Sequence, residues 1–305
     1  MLEYTLNNGI KIPCLGIGPA GVGYSPKYKK EQTNPLIHFY NKAYNKFIRR
    51  PQLERQYVDA VSNAFHIGYR LLDYSSSYGD GTLIGKAIKQ SNIDRKDLFL
   101  TTRISNQSQW KGNIRECLFQ QLKGMGTDYV DLLMFHWPVT DVYLNTWKEM
   151  VQLYKEGYCK ALGVANCHAH HLNELLKVEN VIPQINQIEV HPLFTQKPLI
   201  NYCRELGIQV EGYTAIARMD DRLVRLPLLK SMANKYNKSI VQIVLRWHIQ
   251  NGIIPVIRSL NKERQKENIS IFDFELTAEE MKTIDNININ SRLRYDPDNC
   301  DFSIL

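Results

Sequence analysis

The chain has 305 residues, of which 44% are hydrophobic, 23% charged and 10% aromatic, and its formal net charge is +7. These values exclude disordered and fibrous classes and leave room for two ordinary domains or one eight-stranded α/β barrel, which needs about 250 residues. The start of the chain has no basic stretch followed by an apolar run, and no apolar stretch is long enough to span a bilayer, so a soluble cytoplasmic protein without membrane association is expected.

Cys14, Cys117, Cys159, Cys167, Cys203 and Cys300 are scattered without CxxC or Cys/His ligand spacing. Neither a disulfide framework nor a zinc site is expected from them, and no metal is assigned. The positive charge is local: residues 21–55 hold eight cations against Glu31 and Glu54, which accounts for six of the seven surplus charges. A basic face running along the whole chain, as nucleic-acid binding would require, is absent.

In chain order, the alternating runs 3–6 and 10–13 flank Asn7-Asn8-Gly9, whose Asn-Gly pair supplies the positive φ angles of a tight turn, and predict an opening β-hairpin. Short apolar runs then predict strands at 15–18, 69–73, 98–103, 130–136, 161–166, 184–188, 208–213 and 253–257. Helical patterns lie near 52–67, 81–90, 111–123, 143–156, 168–178, 196–206 and 226–237, with 262–286 in two pieces. Gly157 ends the helix begun near Tyr143, and Thr277-Ala278-Glu279-Glu280 reads as a capping box. Strands alternating with helices predict one α/β domain over 1–305: a single (β/α)8 TIM barrel with an N-terminal β-hairpin and a loop of about 21–50 inserted after the first barrel strand.

Chemistry in such barrels sits where the strands end at their C-terminal face. Asp73, Arg103, His136 and Asn166 all fall there, with Tyr78 five residues past Asp73. Singly, each has a bland reading: a buried Asp paired with Arg103, a histidine at the core edge, a capped Asn. Together, polar groups converging on one rim read as a site.

These phrases resemble the aldo-keto reductases over the whole chain except roughly 20–50. Supporting stretches are Gly68-Tyr69-Arg70-Leu71-Leu72-Asp73, Tyr129 to Pro138, Gly163-Val164-Ala165-Asn166, Asn186 to Pro192, and Arg258-Ser259 followed by Arg264 and Glu267-Asn268. The ending Arg294 to Asn299 is similar to the bacterial branch of diketogluconate reductases. The resemblance implies hydride transfer from NADP(H) to the carbonyl carbon of an aldehyde, ketone or oxidised sugar. Tyr78 would be the general acid, Asp73 would hold a cation beside it, and His136 would orient the carbonyl. A tyrosine has a pKa of about 10 and needs such a cation to share its proton near neutral pH. The family uses lysine there; this chain has Arg103, which keeps the charge as a wider planar fork.

The resemblance further implies that Asn166, Gln187 and Tyr213 hold the nicotinamide, that Arg258, Ser259 and Arg264 bind the 2′-phosphate, and that Glu267 and Asn268 meet the adenine edge. Trp137 would line the substrate pocket, and Ser105 stands where a pocket tryptophan is usual. The basic, aromatic insert reads either as a lid that favours an anionic substrate or as a surface helix on the barrel rim. The expected partner is a small carbonyl compound, with no nucleic acid and no membrane, and the chain is expected as a monomer or weak oligomer. A second reading, from the missing lysine, is an NADP(H)-binding regulatory or interaction protein with little or no turnover.

Overall fold

A computed structural model describes residues 2–18 and 49–304. The insert expected at 21–50 therefore lies almost entirely outside the described residues. Strands β1 (Glu3–Thr5) and β2 (Lys11–Pro13) pair antiparallel with Glu3 opposite Pro13, and Gly9 turns between them at φ +83°. The hairpin closes the bottom of a barrel: its buried Leu6 and Ile12 pack against Leu71, Phe99, Leu132 and Ile254.

Eight parallel strands close that barrel: β3 (Gly16–Ile17), β4 (Leu71–Asp73), β5 (Phe99–Ile104), β6 (Val130–Phe135), β7 (Cys159–Ala165), β8 (Ile185–Glu189), β9 (Gln209–Tyr213) and β10 (Ile254–Ile257), with β10 pairing β3. Each lies within two residues of the run that predicted it. Side chains in a strand alternate between faces. Leu72, Leu100, Leu133, Leu162 and Ile188 consequently join the layer under the helices, while Leu71, Phe99, Leu132, Ala161 and Ile185 fill the barrel interior. At Gly163 a Cβ would sit 2.7 Å from Met134 Cγ, so the missing side chain is what lets Met134 fill the interior.

The helices follow the strands. They are α1 (Arg50–His66), α2 (Thr82–Ser91), α3 (Asn106–Lys111), α4 (Ile114–Met125), α5 (Tyr143–Lys155), α6 (Ala169–Val178), α7 (Lys197–Glu205), α8 (Asp221–Val224), α9 (Pro227–Tyr236), α10 (Ile240–Gln250), α11 (Lys262–Ile269) and α12 (Ala278–Asp285). The capping box at α12 forms as expected: the Glu280 amide donates to Thr277 Oγ1 at 3.2 Å and the Thr277 amide to Glu280 Oε2 at 2.8 Å. The periodicity did not predict α10, whose polar positions Gln242, Arg246 and Gln250 recur every fourth residue but are set in an apolar run buried from Gln242 through Ile249. Its start signal is a second capping box, Ser239 with Gln242. Among the described residues, no helix is long and apolar enough to cross a membrane.

Candidate active site

The two-residue alternation that fills the lower barrel with Leu71, Phe99 and Ile185 points Asp73, Arg103 and Gln187 into the same lumen one or two layers higher. These positions lie near the strands' C-terminal ends. Glu211, paired in register with Gln187, joins them. All four are buried. Arg103 Nη2 donates both to Asp73 Oδ2 and, at 2.7 Å, to Gln187 Oε1. The Gln187 amide spends its two N–H groups on Glu211 Oε2 at 2.9 Å and Asp73 Oδ2 at 3.3 Å.

Two carboxyl groups here share one cation. Burial pushes Asp73 up, opposed by Arg103 and by the bond from Gln187. Burial, reinforced by the charge of Asp73, pushes Glu211 up to about 8, with Gln187 and Arg103 pulling the other way. Burial works against the Arg103 charge, but Asp73, Tyr78 and Glu211 outweigh it and hold the guanidinium above its ordinary value. Near neutral pH the two carboxyl groups therefore hold one proton between them, weighted toward Glu211 because Asp73 is the one paired with Arg103, which leaves the network uncharged overall.

Tyr78 ends a single 3-10 turn, Ser76–Tyr78, above this network. Ser75 Oγ accepts the Ser77 amide at 3.2 Å, and Ser76 Oγ donates to the Arg103 carbonyl at 2.7 Å, tying the turn to β5. Tyr78 is 37% exposed and meets Tyr74 edge to face at 5.9 Å between centroids. His136 follows β6 directly, its amide on the Ile104 carbonyl at 3.0 Å. Burial, then Arg103 and Arg294, push its imidazole down to about 3, so it stands neutral with an N–H to offer.

Asn166 takes the left-handed conformation at φ +62° just past β7. Its Nδ2 donates to the His136 carbonyl at 3.0 Å, and its Oδ1 accepts from the Tyr213 hydroxyl at 2.7 Å. Burial raises the Tyr213 hydroxyl well above its ordinary value, keeping it a donor. The structure thus brings Asp73, Tyr78, Arg103, His136, Asn166, Gln187 and Tyr213 to one rim.

Residues 49–289 match the Aldo/keto reductase family. The chain belongs to that family. It is 34% identical to a glyoxal reductase of Bacillus subtilis over 293 residues, which is 96% of this chain and 95% of the relative. It is 36% identical to the methylglyoxal reductase DkgA of Escherichia coli over 243 residues, 79% of this chain and 88% of the relative. The crystal structure of a Bombyx mori aldo-keto reductase in complex with NADP superposes with a TM-score of 0.81 at 31% identity, covering 97% of this chain and 96% of that one.

For an aldo-keto reductase barrel, the second cluster expected from the sequence lies after β10. Asn261 caps α11, its Oδ1 accepting the Arg264 amide at 2.9 Å, and the buried Ser259 receives the Asn261 amide at 3.2 Å. Arg258 and Arg264 are exposed, and neither makes an ion pair among the described residues. Glu267 is exposed on α11 and Asn268 is buried there. Gln265 fastens this helix to α1, donating to the Ala60 and Ser259 carbonyls and accepting from Asn63.

Two expectations take a different form. Trp137 is buried, 4% exposed, beneath Phe302 of the C-terminal tail, with ring centroids 6.3 Å apart, so the tail rather than open space meets this face of the indole. Ser105 has a job of its own as the N-cap of α3, accepting the Ser108 amide at 3.1 Å. Glu211 was missed by the sequence reading. Its signal was a carboxylate set between Val210 and Gly212 in an apolar strand, on the parity that faces the lumen.

Proposed function

We propose that the chain is an NADPH-dependent carbonyl reductase, acting on small aldehydes, dicarbonyls, ketones or oxidised sugars. The observation that carries this reading is the buried Asp73–Arg103 pair beneath Tyr78, with neutral His136 on the adjacent strand end. In this reading His136 donates its N–H to the substrate carbonyl and Tyr78 delivers the proton to the oxygen as it becomes an alcohol. Arg103 favours the tyrosinate left behind, and Asp73 fixes Arg103 in place.

The residues present fit NADP. Arg258, just before α11, and Arg264, in its first turn, offer guanidinium groups that make no ion pair among the described residues and suit bidentate contact with a 2′-phosphate. Asn166 and Tyr213 stand where a nicotinamide would be held, with Ser259, Glu267 and Asn268 toward the nucleotide end. When bound, NADPH supplies the hydride. The glyoxal and methylglyoxal reductase relatives make dicarbonyls the first substrates to try.

A second reading, cofactor binding with little turnover, has one observation in its favour. Both N–H groups of Gln187 are spent on Asp73 and Glu211, which leaves only an acceptor lone pair for a nicotinamide carboxamide. Arg103 is likewise drawn toward Gln187. NADPH oxidation followed with glyoxal, methylglyoxal and a panel of aldehydes and ketones, beside an NADPH-binding titration, separates the readings. Carbonyl-dependent oxidation supports the reductase; tight binding with no oxidation for any carbonyl selects the second.

A further inference from the structure

The loop that leaves β7 carries Asn166 to the active site and then His168, and the first turn of α6 follows with His170 and His171. Asp298, from the C-terminal tail, reaches into their midst. His168 Nδ1 lies 2.7 Å from Asp298 Oδ2, His170 Nε2 lies 3.2 Å from Oδ1, and His171 Nε2 lies 3.5 Å from Oδ1. One nitrogen from each imidazole and a carboxylate oxygen all fall within 4.8 Å of one another. Nothing in the hydride chemistry uses these side chains.

We propose that His168, His170 and Asp298 bind a zinc ion that pins the C-terminal tail to the catalytic rim. Two imidazoles and one carboxylate are borderline donors that suit zinc better than calcium or magnesium, which prefer oxygen ligands alone. Zinc bonds of about 2.0 to 2.2 Å in a tetrahedral shell place donor atoms roughly 3.3 Å apart. His168 Nδ1 and His170 Nε2 lie 2.7 and 3.2 Å from the Asp298 oxygens they face, a little inside that spacing, and His170, with a side chain 61% exposed, is free to adjust.

His171 is assigned a different part. Its Nδ1 accepts the His168 amide at 3.1 Å, so the proton of the neutral ring sits on Nε2, the nitrogen that faces Asp298. A protonated nitrogen cannot ligate; it can donate to the carboxylate and set its orientation, the usual role of groups just outside a metal shell. Arg292 opposes the ion, because its Nη2 stands 3.4 Å from His168 Nε2, the atom that carries the ring proton when Nδ1 binds metal. Asp296, 3.8 Å from Arg292 Nε, is the carboxylate to which that guanidinium can turn.

Pinning Asp298 would also fix what the tail does nearby. Phe302, four residues on, covers Trp137, and the Leu293 and Arg294 amides bind Glu189 at 2.7 and 3.0 Å at the end of β8. An ion at Asp298 would thus hold the tail segment between these two contacts.

The test is calorimetric titration of zinc chloride into the full chain, free of any affinity tag and stripped with a chelator, with cobalt(II) as a spectroscopic probe. One zinc per chain is expected, along with a rise in thermal midpoint and the visible bands of cobalt in a low-symmetry site. His170→Ala and Asp298→Asn should each weaken binding at least tenfold. His171→Asn should weaken it less than His170→Ala, Cys300→Ser should leave it unchanged, and Arg292→Gln should tighten it. His170 and Asp298 are exposed enough for their variants to fold, which circular dichroism checks. Substoichiometric binding, full affinity in His170→Ala and Asp298→Asn, or a loss confined to Cys300→Ser would overturn the assignment.

Discussion

Glu211→Gln is the most direct probe of the buried network, because it removes the titrating proton while keeping the size of the side chain and an oxygen that can accept from Gln187. In the folded chain burial and Asp73 raise the Glu211 carboxyl from 4.5 to about 8. A group raised on folding stabilises fully below its unfolded value, and that contribution is lost as pH rises through the folded value. Over the window between, the folded state holds a proton that the unfolded chain has released, and stability falls by about 1.4 kcal/mol per pH unit. From about pH 5 to about pH 8 this amounts to an upper bound of about 4 kcal/mol. Sharing of the proton with Asp73 and relaxation of the site reduce the working expectation to about 2 kcal/mol. Urea unfolding at successive pH values, for wild type and variant, reads the difference, in which groups common to both proteins largely cancel. Wild type should lose stability relative to Glu211→Gln as pH rises across this window. Parallel curves, or a variant that loses more, would refute the claim that Glu211 is held protonated.

Tyr78→Phe should reduce carbonyl reduction by at least about a hundredfold while leaving NADPH affinity unchanged, since only the hydroxyl is lost; full turnover in that variant would reassign the acid. Arg103→Lys should raise kcat several-fold, because the compact ammonium of a lysine can pair with Asp73 without the wide planar fork that reaches across to Gln187; unchanged or lower turnover would mean that the guanidinium is not what limits the site. Replacing Arg258 and Arg264 together by alanine should weaken NADPH at least tenfold, about 1.4 kcal/mol, with little effect on NADH, and equal losses in fluorescence titrations of both would remove the phosphate role. Gly124→Ala should lower the unfolding free energy by about 2 kcal/mol or more, seen as a lower denaturation midpoint, because its Cβ would fall 1.8 Å from the Asp80 carbonyl oxygen and force α4 away from the backbone before α2; an unchanged midpoint would contradict that packing.

The barrel was legible in the sequence because strand formation leaves a local record. Runs such as Leu98 to Arg103 and Val130 to His136 are apolar on both faces, as strands covered by helices outside and packed inside must be, and they stop where polar residues gather at the rim. The parity of Asp73, Arg103 and Gln187 along their strands already aims them at one lumen, so the rim constellation followed once the strands were placed. The helix Ile240–Gln250 escaped because it is buried on nearly every side, and its few polar residues, Gln242, Arg246 and Gln250, are taken up by partners in the fold rather than by solvent. The sequence had no means of showing that Gln187 would be taken up by Arg103 and Glu211, or that Glu211 would retain a proton, because both depend on groups more than twenty residues apart being buried together. The meeting of His168 with Asp298, 130 positions apart, is of the same kind: each looks like an ordinary surface residue in the chain, and only closure of the barrel and the return of the tail across its rim bring a carboxylate among three imidazoles.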